Sequence, residues 1–491
     1  MKSSQHPQSK PTHNNLPANP NIQTLLIAWV LILSCFVFSN YSQGTSDAVL
    51  NAVRNSDRAE RNAKEKAAAS LTADEHMRRA GVYMANRSFA AAREHWQAVV
   101  DNFPNDVNVP AALYGIARSY YQDRRYEEAR QIYERVAHDY PQTKEGREGL
   151  NFSASSLLRM GRGAEAAQRY AEYLEKYPNG ERIDTAHLNI IDGYREAGRS
   201  QDAIVWIERT RQRFAGTVTE TNAIFARLRL DIALADWTHA IQTADELLSK
   251  PLLSGASTTV DELLYLKAHA LSRAGREQDA SRVFQMIPDN LNSYYGGLAT
   301  NRLAALKDPA ARQKASERSS TVQSAIAAAA LDYPAPYRML IVNEARKRGL
   351  DPRLVLAIMK QESRFKPNAK SPSAARGLLQ LTIDAAQRYA PRAGVSQPTE
   401  QSLYRPEVAI AVGCEYLAEL SRMFAGLPEA IAASYNGGED NVARWLARSN
   451  QSDQGIFAAE VGFSESKNYV FKVMSYLRAY RQLYTSDLRR K

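Results

Sequence analysis

Cysteine is almost missing from this chain of 491 residues: Cys35 and Cys414 are the only two, far apart in sequence. A disulfide framework is excluded, and so is an all-cysteine metal site. The eight histidines never fall into HExxH or a comparable ligand spacing, which argues against a metal enzyme. No glycine-rich phosphate loop occurs, so neither metal nor other cofactor is expected. No basic stripe runs along the repeats between Ala73 and Pro288, which disfavours nucleic acid as a partner. The net charge of +10 is uneven: from Pro334 onward 23 Lys and Arg face 15 Asp and Glu. Such a surface suits an acidic partner or a carboxylate-rich polymer, although scattered charges also suit a plain solvated face. Hydrophobic content of 44% and charge of 24% are ordinary for folded protein, and the length suits two or three domains.

The long apolar run "TLLIAWVLILSCFVF", Thr24 to Phe38, comes after a polar tail rich in Asn and Pro. It is long for the core of a signal peptide and short for a membrane span. A cleaved signal, an uncleaved anchor with Lys2 and Lys10 in the cytoplasm, and a lipoprotein signal at "ILSC" would each export the remainder of the chain. Residues 1–44 are therefore read as tail plus signal peptide or membrane anchor. The rest is expected in the periplasm, secreted across or anchored to the inner membrane.

Between Ala73 and Pro288 the chain repeats. Phe103, Tyr140, Tyr177 and Phe214 are 37 residues apart, as are Ala92, Ala129, Ala166, Ala203 and Ala240. Phe89, Tyr126, Gly163, Ser200 and Trp237 keep the same step. Each unit reads as two amphipathic helices and a turn. One unit cannot bury its own apolar face, so the units must stack into a solenoid of tetratricopeptide type. Such an array can hold envelope proteins, peptides or a neighbouring domain. "NSYYGGLATNRL" then reads as closely packed helix, and the stretch up to Tyr333-Pro334-Ala335-Pro336 as a connector. The expected division is 45–320 for the array with its connector and 321–491 for a second domain.

The chemistry concentrates in "AIMKQESRFKPNAKSPSAARGLLQL", Ala357 to Leu381. Asp351 is placed to cap a helix with Pro352 in its first turn. That helix is apolar on most of its circumference and ends at Glu362. Burial and the negative end of the helix dipole both disfavour the charged carboxylate. A carboxyl kept protonated near neutrality is what a general acid requires. A surface glutamate paired with Lys360 or Arg364 is the plainer alternative. Downstream, Ser363, Ser371 and Gln380 stay close in sequence, and a buried glutamine needs partners. Tyr435 and Asn436, ahead of a double glycine, supply a ring for a sugar face and an amide for its hydroxyls. A core tyrosine with an asparagine cap would read the same way.

The order "QESRFKPNAKSPSAARGLLQL", "LYRPEVAIAVGCEYLAEL", "IAASYNGGEDNVARWL", "FSESKNYVFKVMSYLRAY" resembles the catalytic domain of lytic murein transglycosylases. The array in front resembles the large soluble members of that family. The resemblance implies an all-α protein, a TPR-like solenoid followed by a lysozyme-like helical domain. It also implies one catalytic acid and base, Glu362. Ser363, Ser371, Gln380, Tyr435, Asn436, Glu465 and Tyr469 match substrate-binding or supporting positions. Ala374 stands where the family has glycine, Leu379 where it has methionine, Ser434 where it has alanine. "GGED" replaces the usual Ala-Gly-Pro-Gly turn and sets Glu439 and Asp440 beside the expected cleft. Glycoside cleavage commonly uses two carboxylates, and no spacing selects a second among Asp384, Glu400, Glu439 and Glu465. The family's solution is a lyase reaction on peptidoglycan. Glu362 would protonate the MurNAc–GlcNAc bond and then activate the muramic acid's own 6-hydroxyl, giving a 1,6-anhydro ring. A goose-type muramidase that delivers water, and a silent wall-binding module with a partner-binding array, are the alternatives.

Overall fold

The computed structural model describes residues 46–64, 71–449 and 453–491. The apolar run at 24–38 and Cys35 lie outside the described residues. Helix α1 (Asp47–Lys64) precedes six helix pairs among the described residues. They are α2 (Ala73–Ala85) with α3 (Phe89–Asn102), α4 (Val109–Gln122) with α5 (Tyr126–Asp139), and α6 (Lys144–Arg159) with α7 (Gly163–Lys176). Then come α8 (Ile183–Glu196) with α9 (Ser200–Arg213), α10 (Val218–Ala233) with α11 (Trp237–Leu248), and α12 (Val260–Arg273) with α13 (Glu277–Met286).

The 37-residue registers mark fixed points of this unit. Phe89, Tyr126, Gly163, Ser200 and Trp237 each open the second helix, and Phe103, Tyr140, Tyr177 and Phe214 each cap it. Ala92, Ala129, Ala166, Ala203 and Ala240 sit in its first turn with 0% exposure. Only a methyl fits between helices this close, and a larger side chain there would overpack the contact. A third register appears in the turn between paired helices. Arg87, Arg124, Gly161, Gly198 and Ala235 all adopt left-handed backbone, with φ between 57° and 73°. For an arginine this conformation costs about 1–2 kcal/mol.

After the pairs, α14 (Tyr294–Ala305) carries the "SYYGG" stretch. A Cβ on Gly296 would lie 2.0 Å from the Pro288 carbonyl, so glycine is required there. The stretch read as a connector is largely helical, α15 (Pro309–Ala328). Its buried face is Ala311, Ala315, Val322 and Ile326. Four small or medium side chains over five turns leave a weak periodic signal, yet they suffice to pack on α14 and on the C-terminal helix.

The C-terminal part comprises α16 (Arg338–Arg346), α17 (Pro352–Ser363), α18 (Ile383–Tyr389) and α19 (Pro406–Met423). It continues with α20 (Pro428–Gly437), α21 (Glu439–Ser449), α22 (Gln454–Glu460) and α23 (Ser464–Leu483). Helix α17 is its centre: Leu354 to Met359 are all buried, and Asp351 caps the helix by accepting from the Arg353 N–H at 3.0 Å. Cys414, inside α19, is fully buried. The described chain contains no strand, only isolated bridges such as Arg376 to Leu381. Among the described residues no helix is long and apolar enough to cross a membrane.

The array folds back onto this part along much of its length. Asp47, the first residue of α1, binds Arg376 at 2.6 Å, Lys370 at 2.9 Å and the Tyr404 hydroxyl at 3.1 Å. Glu196 binds Arg444 at 2.6 Å and Arg448 at 3.1 Å. Arg195 and Glu460 meet at 2.5 Å, each 2% exposed, and Glu262 holds Lys467 at 2.9 Å. Breaking one member of such a buried pair is costly, about 3–5 kcal/mol, because it strands the other charge.

Candidate active site

Helix α17 delivers Glu362 one residue before its end. Arg364 and Phe365 come next in left-handed conformation (φ 49° and 64°), which turns the chain away and leaves Glu362 at the rim of the core. Its side chain is partly buried, and the Tyr469 hydroxyl of α23 donates to Oε1 at 2.6 Å. Burial pushes the Glu362 carboxyl up to about 7; the Tyr469 hydrogen bond acts against this, and the Glu465 charge adds to it. Burial and the neighbouring Glu362 likewise hold the Tyr469 and Tyr435 hydroxyls well above their usual range, so both stay protonated donors.

The chain then loops through 364–381 and returns under the site. Arg376, fully buried, ties this loop to Asp47, and its backbone exchanges hydrogen bonds with Leu381 at 2.9 and 3.0 Å. Gly377 needs its φ of 77°, and a Cβ there would sit 2.0 Å from the Leu403 carbonyl. Within this frame Gln380 Nε2 donates to the Gly377 and Ala369 carbonyls at 2.9 and 3.1 Å. The carbonyl end of that amide is the one left for a ligand. Asn436 is the converse: its Oδ1 accepts from Ser466 Oγ at 2.6 Å, which leaves the amide nitrogen. One amide thus offers an acceptor and the other a donor.

A cavity of about 310 Å³ opens beside this group, lined by Gln380, Tyr416, Tyr435, Asn436, Arg124 and Asp440 among others; Glu362 and Tyr469 are not in its wall. Tyr435 fixes itself by donating to the Leu379 carbonyl at 2.7 Å. Behind it stand Tyr416, 5.2 Å away centroid to centroid, and Tyr389, stacked 4.8 Å from Tyr416. A larger cavity, about 530 Å³, lies between the later repeats and α22; Arg229, Trp237 and Arg448 are in its wall, and no expected site residue is.

The structure therefore gathers Glu362, Tyr469, Tyr435, Gln380 and Asn436. Ser363 is buried and donates to the Leu378 carbonyl at 2.7 Å, so its hydroxyl serves the loop from below. Ser371 Oγ accepts from the Ala375 N–H at 3.1 Å, within its own turn. Glu465 is exposed at the start of α23, within electrostatic reach of Glu362. Tyr389, Tyr416, Arg87 and Arg124 also line the cavity and carry no such signal in the sequence, and Tyr126 is marked there only by its repeat register. Inside apolar helices the tyrosines read as core, and the arginines lie hundreds of residues upstream.

The remaining carboxylates have other partners. Asp384 takes a two-pronged bond from Arg87 at 2.6 and 2.8 Å, and Glu400 takes one from Arg54 at 2.7 Å. Burial alone would raise both, and the arginines outweigh it, holding each below its ordinary value. Glu439 is paired with Arg124. Glu429 is also pushed up to about 7 by burial, but it faces the Tyr294 hydroxyl at 3.4 Å under α14.

Residues 339–457 match the family model described as the transglycosylase SLT domain, and residues 77–143 and 153–180 match tetratricopeptide repeat models. The soluble lytic murein transglycosylase of Escherichia coli K12 is 31% identical over 153 residues, covering 30% of this chain and 23% of that protein. Membrane-bound lytic murein transglycosylase C of Salmonella arizonae is 31% identical over 169 residues, covering 30% of this chain and 46% of that protein. The X-ray structure of an inactive mutant of lytic transglycosylase Slt from Pseudomonas aeruginosa aligns with a TM-score of 0.48 at 19% identity, over 84% of this chain and 73% of that one. The chain spans less than half the length of these two curated relatives.

Proposed function

From a chain whose C-terminal part is a transglycosylase SLT domain behind tetratricopeptide-type repeats, we propose a lytic murein transglycosylase with Glu362 as its single acid and base. The observation that carries this is the state of Glu362: a carboxyl at about 7, partly buried, gripped by Tyr469, while Asp384, Glu400 and Glu439 are neutralised by arginines. A two-carboxylate mechanism needs a second unengaged acid nearby, and of the four candidates exposed Glu465 alone remains, Glu429 being held under α14 by Tyr294.

The protonated Glu362 gives its proton to the glycosidic oxygen as the bond from C1 of N-acetylmuramic acid breaks. The carboxylate so formed then takes the proton of that sugar's 6-hydroxyl while its oxygen bonds to C1. The 1,6-anhydro ring closes, the acid is restored and no water is consumed. The nucleophile belongs to the substrate and gains the advantage of an intramolecular reaction. Gln380 and Asn436 present an acceptor and a donor, the pair that an N-acetyl group complements, and Tyr435 lines the same cavity. The expected setting is the cell envelope, with residues 1–44 as leader or anchor, 45–320 as array and 321–491 as catalytic domain.

Two other readings predict different products. A goose-type muramidase would use the same glutamate and add water, and a wall-binding module would release nothing. Comparing the chain with Glu362→Gln on purified murein separates enzyme from binder. The enzyme reading requires soluble fragments from the parent, none from the variant, and retained sedimentation of the variant with murein. Sedimentation without fragments from either protein would favour the binder.

A further inference from the structure

Two arginines of the array occupy backbone positions that the same array gives to Gly161 and Gly198, and once to Ala235. Arg87 and Arg124 are the left-handed residues of the first two intra-unit turns, and Gly161 and Gly198 hold the next two. Glycine takes this conformation without the clash that a Cβ meets. What the two turns gain is reach. Arg87 grips Asp384 with two hydrogen bonds, at 2.6 and 2.8 Å, just after the segment that carries Gln380. Arg124 pairs with Glu439 and lies 3.8 Å from Asp440, whose carboxylate also accepts from the Tyr126 hydroxyl at 2.7 Å. Glu439 and Asp440 open α21 directly after Asn436-Gly437-Gly438. Each arginine therefore holds the segment next to one of the two amides that face the cavity.

Two residues in the wall of the same cavity carry a buried polar atom without a partner. Ser434 Oγ and Glu439 Oε2 are buried and have no hydrogen-bond partner among the described residues. Both residues line it together with Arg87, Arg124 and Tyr126. Buried polar atoms are normally satisfied; these two are shielded from solvent, in residues of the cavity wall.

We propose that Arg87 and Arg124 are positioning residues for glycan binding. The array forms one wall of the cleft and, through Asp384 and the Glu439–Asp440 pair, fixes the segments that bear Gln380 and Asn436. This rests on the glycan reading above. Arg124→Gly tests it, with Arg87→Gly as counterpart, because each removes the side chain and relieves the backbone together. Murein affinity is read by sedimentation in the Glu362→Gln background, and KM and kcat in the active one. The expected result is a KM and a binding constant weakened about five- to ten-fold, kcat within about two-fold, and partial recovery with Arg124→Lys, with a lowered thermal midpoint in Arg124→Gly because the buried Glu439 loses its partner. Unchanged binding and KM would overturn the proposal, as would kcat and thermal midpoint falling together at constant affinity. If the parent releases no fragments, the lyase reading fails while the affinity comparison still reads the array's role. Loss of all murein binding by Glu362→Gln would count against the glutamate's assigned role alone, and the KM of Arg124→Gly in the active chain would still decide the array's.

Discussion

The Tyr469 hydroxyl donates to Glu362 Oε1 at 2.6 Å, joining the end of α17 to the first turns of α23. It offsets part of the burial that holds the carboxyl near 7. Tyr469 thus sets how acidic the group is as well as where it points.

The pH profile should have one limb. With a single acid at about 7, kcat/KM is level at lower pH and falls ten-fold per pH unit above it. A second catalytic carboxylate would add an acidic limb. In Tyr469→Phe the alkaline limb moves upward, by about half a unit to one unit, and the plateau falls about ten-fold, because the donor that favours the carboxylate and aligns it is gone. Initial rates from pH 4 to 9 read both effects.

Glu362 should cost stability in a defined window. Below its ordinary value of 4.5 the group is protonated in both folded and unfolded chains, and there is no difference. Between 4.5 and about 7 the unfolded chain loses the proton and the folded one keeps it, so stability declines across this range and is level above it. Glu362→Gln should therefore be more stable than the parent above pH 7, by at most about 3 kcal/mol, with no gain at pH 4. Thermal unfolding at the two pH values checks the sign.

Glu400→Gln should leave kcat within about three-fold of the parent, since its ion pair with Arg54 is a peripheral contact worth at most about 1 kcal/mol. A loss comparable to that of Glu362→Gln would make Glu400 the missing second carboxylate.

Gly377→Ala should disable the site through its frame. The added methyl would meet the Leu403 carbonyl at 2.0 Å and the φ of 77° would be strained, so the turn that holds Gln380 must shift. A cost of about 2 kcal/mol or more is expected, read as a lower thermal midpoint and a raised KM.

Much of this is legible in the sequence where a physical period or a composition conflict marks it. The buried alanines from Ala92 to Ala240 are signalled by a repeated small residue. Glu362 stands out because a carboxylate ends an apolar helix, and Asp351 because a cap precedes a proline. Helix α15 reads as a connector because its buried stripe is made of two alanines, one valine and one isoleucine. Tyr416 is hidden inside an apolar helix, where a stacked aromatic has the same pattern as core. The grip of Arg87, Arg124 and Asp47 on the C-terminal part leaves no trace, because ion pairs between residues some 300 apart have no period. The arginines at the turn register are visible as departures from Gly161 and Gly198, and only the backbone angles give that departure a meaning.

The most direct measurement is the mass of the saccharide fragments released from purified murein by the chain, beside Glu362→Gln. Fragments one water lighter than ordinary reducing-end products are expected from the parent, and none from the variant. Fragments with ordinary reducing ends would contradict the lyase reading, and would place a water where the substrate's own hydroxyl is expected.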